Sequence, residues 1–244
     1  MTPLFLFLAL FQSPQENTLN SAEAVLKAMR DRYSLSWYHS VTFTQKTVTF
    51  QKDGSKKEAI WYEFMKIPGQ LRIEFAPVDD GNGILFKHDS LFVFDKNKLK
   101  SVRPVIHPLL LLGFDVYTLS TEETIRKLRK LGYDLSLFHE SIWQERPVYV
   151  VGAAQGDART KQFWIDKERL VFVRSLEPSP RDSTTISEVQ FNDYRRLDGG
   201  WIGAEVLFLQ NGQRTMEEYY SDIKANVEIP DEVFDPKQWK GVRD

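Results

Sequence analysis

Val41-Thr42-Phe43-Thr44-Gln45-Lys46-Thr47-Val48-Thr49-Phe50-Gln51 sets Val41 and Phe43 against Thr42 and Thr44 and is dense in β-branched and aromatic residues. A period of two with that composition predicts a long strand with one face buried. Working outward, Asp53-Gly54 is a hairpin signal leading into Ala59 to Lys66. Pro68-Gly69 then turns the chain into Leu71, Ile73 and Phe75, which alternate with Arg72 and Glu74. These three strands make a meander. The turn-rich run Asp79-Asp80-Gly81-Asn82-Gly83 is a loop, and residues 84–87, 91–95 and 99–103 read as short hairpin-linked strands that extend it.

Pro104 and Pro108 end this pattern. Between them and Gly113 lies the run Leu109, Leu110, Leu111 and Leu112, far short of the ~20 residues of a membrane span. It is also too uniform for an amphipathic surface helix, so it must pack on something apolar. Ser120 and Glu123 form a capping box ahead of Ile125, Leu128 and Leu131. A comparable start at Asn20 and Glu23 opens a helix over about residues 20–34, with Ala22, Val25, Leu26, Met29 and Tyr33 at helical spacing. Strands return at 148–151, 161–166, 170–176, 184–194, 202–209 and 213–220, with hairpin turns at Asp198-Gly199-Gly200 and Asn211-Gly212. The class is therefore mainly β (α+β), one antiparallel sheet of about ten or eleven strands with three helical pieces. A sheet that wide curls. Its hollow must be filled by side chains, a helix or a ligand, and the leucine run and the two helices are the natural plugs. An ordinary side-chain core and a ligand cavity both remain open at this point.

Composition narrows the function by exclusion. Hydrophobic residues at 42% and aromatics at 13% rule out a disordered chain. With 32 basic and 34 acidic residues the net charge is −2, so no global field steers the protein onto nucleic acid. Without cysteine there is no disulfide, no thiolate metal site, no Cys nucleophile and no acylated N-terminal Cys. His39, His88, His107 and His139 are scattered without metal-ligand spacing, and no nucleophile elbow, P-loop or dinucleotide fingerprint occurs. The expectation is a non-enzyme with no catalytic residue, metal or cofactor. Arg126, Lys127, Arg129 and Lys130 read as the solvated face of one helix. The apolar run from Pro3 to Phe11 fits the core of a signal peptide over residues 1–15, followed by a single exported, soluble domain over 16–244.

A resemblance sharpens this reading. The run Tyr38-His39-Ser40-Val41-Thr42-Phe43-Thr44-Gln45-Lys46, then Trp61, then Lys66-Ile67-Pro68-Gly69-Gln70-Leu71-Arg72-Ile73-Glu74-Phe75, resembles the LolA-like outer-membrane lipoprotein carriers. Leu91-Phe92-Val93-Phe94-Asp95, the proline-led Pro108 to Gly113, Phe163-Trp164-Ile165-Asp166, Phe191-Asn192-Asp193-Tyr194, Gly200-Trp201-Ile202 and Asp222 to Asn226 follow in the same order. The resemblance covers most of the chain from about residue 18. It implies an incomplete β-barrel with helices as a lid over an apolar cavity that holds acyl chains in the periplasm. Phe43, Trp61, Phe64, Phe75 and Leu109, Leu110, Leu111 and Leu112 are then expected to line or plug one interior. The implied partners are lipid or lipoprotein acyl chains, an inner-membrane release complex and an outer-membrane acceptor, with the carrier a monomer. A second reading on the same fold is a lipid-responsive sensor or scaffold bound to a membrane-protein partner. One departure stands out. At the lid-latch position the carriers often place an Arg before proline, whereas this chain has Ile67, so its lid is expected to be held by packing of the leucine run alone.

Overall fold

Among the described residues, 19–240 of the computed structural model, thirteen strands form one antiparallel sheet. The signal segment expected over residues 1–15 lies outside them. The strands are β1 (Ser40–Phe50), β2 (Lys56–Lys66), β3 (Gln70–Phe75), β4 (Gly83–Lys87), β5 (Ser90–Asp95), β6 (Lys98–Pro104) and β7 (Phe138–Trp143). They continue as β8 (Arg146–Val151), β9 (Gln162–Asp166), β10 (Phe172–Pro178), β11 (Ile186–Leu197), β12 (Gly200–Gln210) and β13 (Gln213–Ala225). Spatial order is β6-β5-β4-β3-β2-β1-β13-β12-β11-β10-β9-β8-β7. Sequence neighbours thus pair by hairpins, and the first and last strands meet in the middle, Val41 opposite Ala225 and Val48 opposite Glu217. β6 and β7 do not pair, so the sheet does not close into a barrel.

The count of thirteen exceeds the ten or eleven expected, although twelve of the strands coincide with segments read as strands from the sequence. The strand missing from the sequence reading is β7, whose apolar residues Phe138, Ile142 and Trp143 do not alternate and whose Ile142 is 67% exposed at the sheet edge. An edge strand whose residues are only partly buried on both phases leaves no period to detect.

Three helices accompany the sheet: α1 (Ala22–Tyr33), α2 (Pro108–Gly113) and α3 (Thr121–Lys130). The cap of α1 is Ser21, whose hydroxyl accepts from Ala24 N, one residue later than the Asn20 start read from sequence. Ser120 caps α3 as expected, accepting from Glu123 N at 3.1 Å. Val25, Leu26, Met29 and Tyr33 bury one side of α1 in the main core together with Leu128 of α3 and Leu110, Leu111 and Leu112 of α2.

Alternation sorts each strand between two faces. On β2, Trp61, Glu63 and Met65 face the helices, as do Leu71, Ile73 and Phe75 on β3 and Ile84 and Phe86 on β4. On the opposite face a second core gathers Leu85, Phe94, Ile229, Val233, Phe234 and Trp239, with Phe64 packed against it. Its centre is Arg72, which is 1% exposed. The Arg72 guanidinium donates to Glu74 at 2.7 Å and to the Val233 carbonyl at 2.8 Å, and it lies 3.9 Å from the Trp239 ring. Trp239 in turn stacks on Phe94 at 4.0 Å and donates to the Gly81 carbonyl at 3.2 Å. A buried charge requires such partners. The C-terminal segment therefore clasps the outer face of β3 to β5.

Candidate functional site

Between the inner face of the sheet and α2 lies a cavity of about 240 Å³. Its walls are Trp61 and Met65 from β2, Leu71 and Ile73 from β3, Ile84 and Phe86 from β4, and Phe191, Phe208 and Met216 from the other half of the sheet. Leu109, Leu110 and Phe114 close it from above, with His107 at the rim. The local sequence explains the roof. His107 caps α2 by accepting the Leu110 amide on Nδ1 at 3.1 Å, and Pro108 occupies the first turn, where its missing N–H costs nothing. Burial lowers the His107 pKa to about 4, so the ring is neutral and the cavity mouth carries no imidazolium.

The roof is tied down by a polar contact. Asp115, in the 3-10 turn Asp115–Tyr117 that follows α2, is 5% exposed and accepts a 2.9 Å hydrogen bond from the Gly69 backbone N–H. Gly69 sits at φ +82° in the β2–β3 turn, a conformation that glycine adopts at little cost. Beside this contact Lys127 of α3 pairs with Asp89, joining α3 to the β4–β5 turn. Burial pushes the Asp115 carboxyl up to about 7, against the opposing pull of the Gly69 N–H and the Lys127 ammonium.

Two carboxyls face the cavity, and nothing in the sequence reading singled them out. Glu63 stands on β2 between Trp61 and Met65, and Glu218 on β13 between Met216 and Tyr220. Glu218 accepts from the Tyr220 hydroxyl at 3.0 Å. Burial raises the Glu218 pKa to about 7 and raises that of Glu63 well above its ordinary value, with the nearby Glu218 adding to the latter. The available signal was a glutamate set between apolar residues on the inward phase of each strand. Among the described residues, no three His, Cys, Asp or Glu side chains converge as metal donors, and no helix is long and apolar enough to cross a membrane.

The sequence matches no family model and no curated protein. Solved structures do match. A putative outer membrane lipoprotein-sorting protein domain from Vibrio parahaemolyticus superposes with a TM-score of 0.61 at 12% identity, over 88% of this chain and 96% of that one. A DUF1329 family protein from Desulfovibrio piger gives 0.58 at 15% identity, over 89% and 97%. A LolA superfamily protein from Nitrosomonas europaea gives 0.54 at 13% identity, over 86% and 97%. The fold is LolA-like.

Against the expectations of that LolA-like resemblance, the predicted side chains separate into four groups. Trp61, Leu109 and Leu110 line the cavity. Phe43 and Phe75 stand one layer back, Phe43 stacked on the cavity residue Tyr220 at 4.2 Å and Phe75 against Trp61 at 4.9 Å. Leu111 and Leu112 are buried in the main core away from the cavity lining. Phe64 is on the other face of the sheet, packed with the second core, because strand alternation opposes it to the inward Glu63 and Met65. The expected lid-latch position Ile67 is buried at 8% exposure, and beside apolar packing a polar contact joins this turn to the segment after α2. Two residues past Ile67, the Gly69 N–H supplies the donor and Asp115 in the turn after α2 supplies the acceptor.

Proposed function

We propose that this protein is a carrier, which takes acyl chains of lipoproteins or other lipids into the cavity under α2 and shuttles them through the periplasm toward the outer membrane. The observation that supports it most is an apolar chamber placed directly beneath a proline-led leucine helix, in a LolA-like fold. Its size argues for partial capture. At ~30 Å³ per water-sized group, 240 Å³ accepts roughly eight such groups, about half of a sixteen-carbon chain. Burying about eight methylenes contributes roughly 6 kcal/mol, from which displacement of the lid is subtracted. A carrier must release what it binds, and a modest surplus of this kind permits that. Export with removal of the first 13 to 20 residues, a monomeric single domain, and exchange with an inner-membrane donor complex and an outer-membrane acceptor belong to the same reading. Two measurements test it: the mass spectrum of lipid co-purifying with the protein from its native envelope, and acyl-chain transfer between donor and acceptor vesicles. Absence of both bound lipid and transfer would refute the carrier. Intact-mass analysis of the mature chain decides the export step.

A further inference from the structure

We infer that the cavity is built for an amphiphile whose apolar tail ends in a primary amine, with the ammonium received between Glu63 and Glu218 on the floor of the chamber. The inference rests on the carrier reading and names the chemistry of its cargo.

Four observations carry it. First, both carboxyls belong to the lining of a chamber that is otherwise aliphatic and aromatic, on the two strands that flank β1. Second, Glu63 is 5% exposed, and its carboxyl makes no hydrogen bond to any described residue. A carboxyl that is buried and unpartnered is costly, and nature rarely leaves one without use. Third, Gln45 lies on the same face of β1, across from Trp61 on one side and Tyr220 on the other. Its amide nitrogen donates to Thr47 at 2.8 Å and also serves Glu218, while its buried Oε1 has no partner among the described residues. Fourth, no lysine or arginine is among the described residues that line the chamber, and His107 at the rim is neutral, so the carboxyls have no counter-charge of their own.

The missing element is thus a donor-rich cation. An ammonium offers three N–H donors and no acceptor, which fits the acceptors this floor leaves unused, the Glu63 carboxyl and the Gln45 Oε1. A hydroxyl brings one donor and no charge, and a carboxylate brings a third negative group. The raised pKa of both carboxyls is the signature of the same deficit, since like charges and desolvation favour the protonated forms until a cation arrives. Binding of the amine should therefore expel protons. The groups facing this floor from the packed elements are Tyr220 on β13, which donates to Glu218 and is itself held protonated by burial, and His107 before α2.

The test uses dodecylamine, dodecanol and dodecanoic acid, below their aggregation concentrations, as displacers of a fluorescent apolar probe from the mature protein at pH 7.5. Dodecylamine is expected to displace at a concentration at least tenfold lower than either of the others. Glu63→Gln combined with Glu218→Gln should abolish that preference, bringing dodecylamine to within about twofold of dodecanol on the same variant, and Glu63→Gln alone should reduce the preference at least threefold. Calorimetry in two buffers of different ionisation heat should report proton release with dodecylamine but not with dodecanol. Equal affinities for the three, or a preference that survives the double variant, would overturn the inference and leave the carrier standing. Failure of the probe and of all three compounds to bind would overturn both.

Discussion

The carboxylate of Asp115 and the backbone N–H of Gly69 meet at 2.9 Å, joining the turn after α2 to the hairpin between β2 and β3. This bond lies in a small cleft next to the cavity that shares Phe86, His107 and Leu110 with it, and is the polar counterpart of the apolar packing made by Leu110. A lid held by both must break both to open.

Removing the tie should loosen the lid without dismantling it. Asp115→Ala forfeits one hydrogen bond of about 0.5 to 1.5 kcal/mol, so association of an apolar probe should accelerate by about two- to tenfold. Asp115→Asn keeps an acceptor but cannot ionise. In the native protein burial raises the carboxyl's pKa even though the Gly69 N–H favours its ionised form, so the closed, buried placement of Asp115 is most stable below about pH 4 and loses that stability as pH rises to about 7. Stopped-flow probe binding across pH 5 to 8 should therefore rise with pH in the native protein and show less of a rise in Asp115→Asn. Identical profiles would show that this group does not govern the lid.

Filling the chamber is the direct test of its use. Leu109 reaches the cavity from the roof and is half-buried, so Leu109→Trp can place an indole into the open volume. Probe affinity should fall at least tenfold while Tm moves by only a few degrees. Unchanged affinity would mean that the probe binds elsewhere.

Stability should carry the imprint of the cavity floor. Glu218 has a raised pKa in the folded state, so its contribution is complete below the unfolded value of about 4.5 and is lost as pH climbs to about 7. Glu218→Gln retains an acceptor for Tyr220 and removes the titration. The variant should match the native protein near pH 4.5 and exceed it above pH 7, by at most about 3 kcal/mol if the full shift is realised. Urea unfolding at the two pH values measures the difference, and a gap independent of pH would contradict it.

The outer face should matter for stability alone. Trp239→Ala leaves Arg72 beneath an unfilled site and removes a buried ring, a change worth about 3 to 5 kcal/mol. Tm should drop by roughly 10 °C for a chain of this size. Probe affinity, measured below the transition, should hold within twofold, because the clasp and the cavity lie on opposite sides of β3.

Much of this architecture was legible because burial is one-sided. β1, β3 and the hairpins of the C-terminal half announce themselves by period two and by Asx-Gly turns, and α3 by its capping box. β2 was ambiguous, since Ile60, Trp61, Tyr62 and Phe64 put apolar residues on both phases, and the choice that placed Phe64 inside failed on that ambiguity. Its outward neighbours meet a second core supplied by residues 229–239, far away in sequence. The same distance hid the clasp on Arg72, which reads as an exposed strand charge until the C-terminal segment covers it. Glu63 and Glu218 were invisible for a different reason. Strands tolerate glutamate on a wet face, and only the tertiary pairing shows that both sit on the dry one.

A hydrogen-bonded barrel has a fixed circumference, because changing it means rupturing a ladder. The sheet described here is a split ring instead. Its two free margins are β6, exposed at every residue and guarded by Lys98, Lys100, Arg103 and Pro104 against pairing with a stranger, and β7. The stretch 105–137 that runs from one margin to the other carries the whole roof, α2, the Asp115 turn and α3. Girth and roof are consequently coupled: any guest that spreads the margins pulls on the same strap that covers it. On the proposed carrier reading, capacity is limited by the slack of the strap and by the Asp115 bond to Gly69, and a bulkier load is taken up with every strand pair intact.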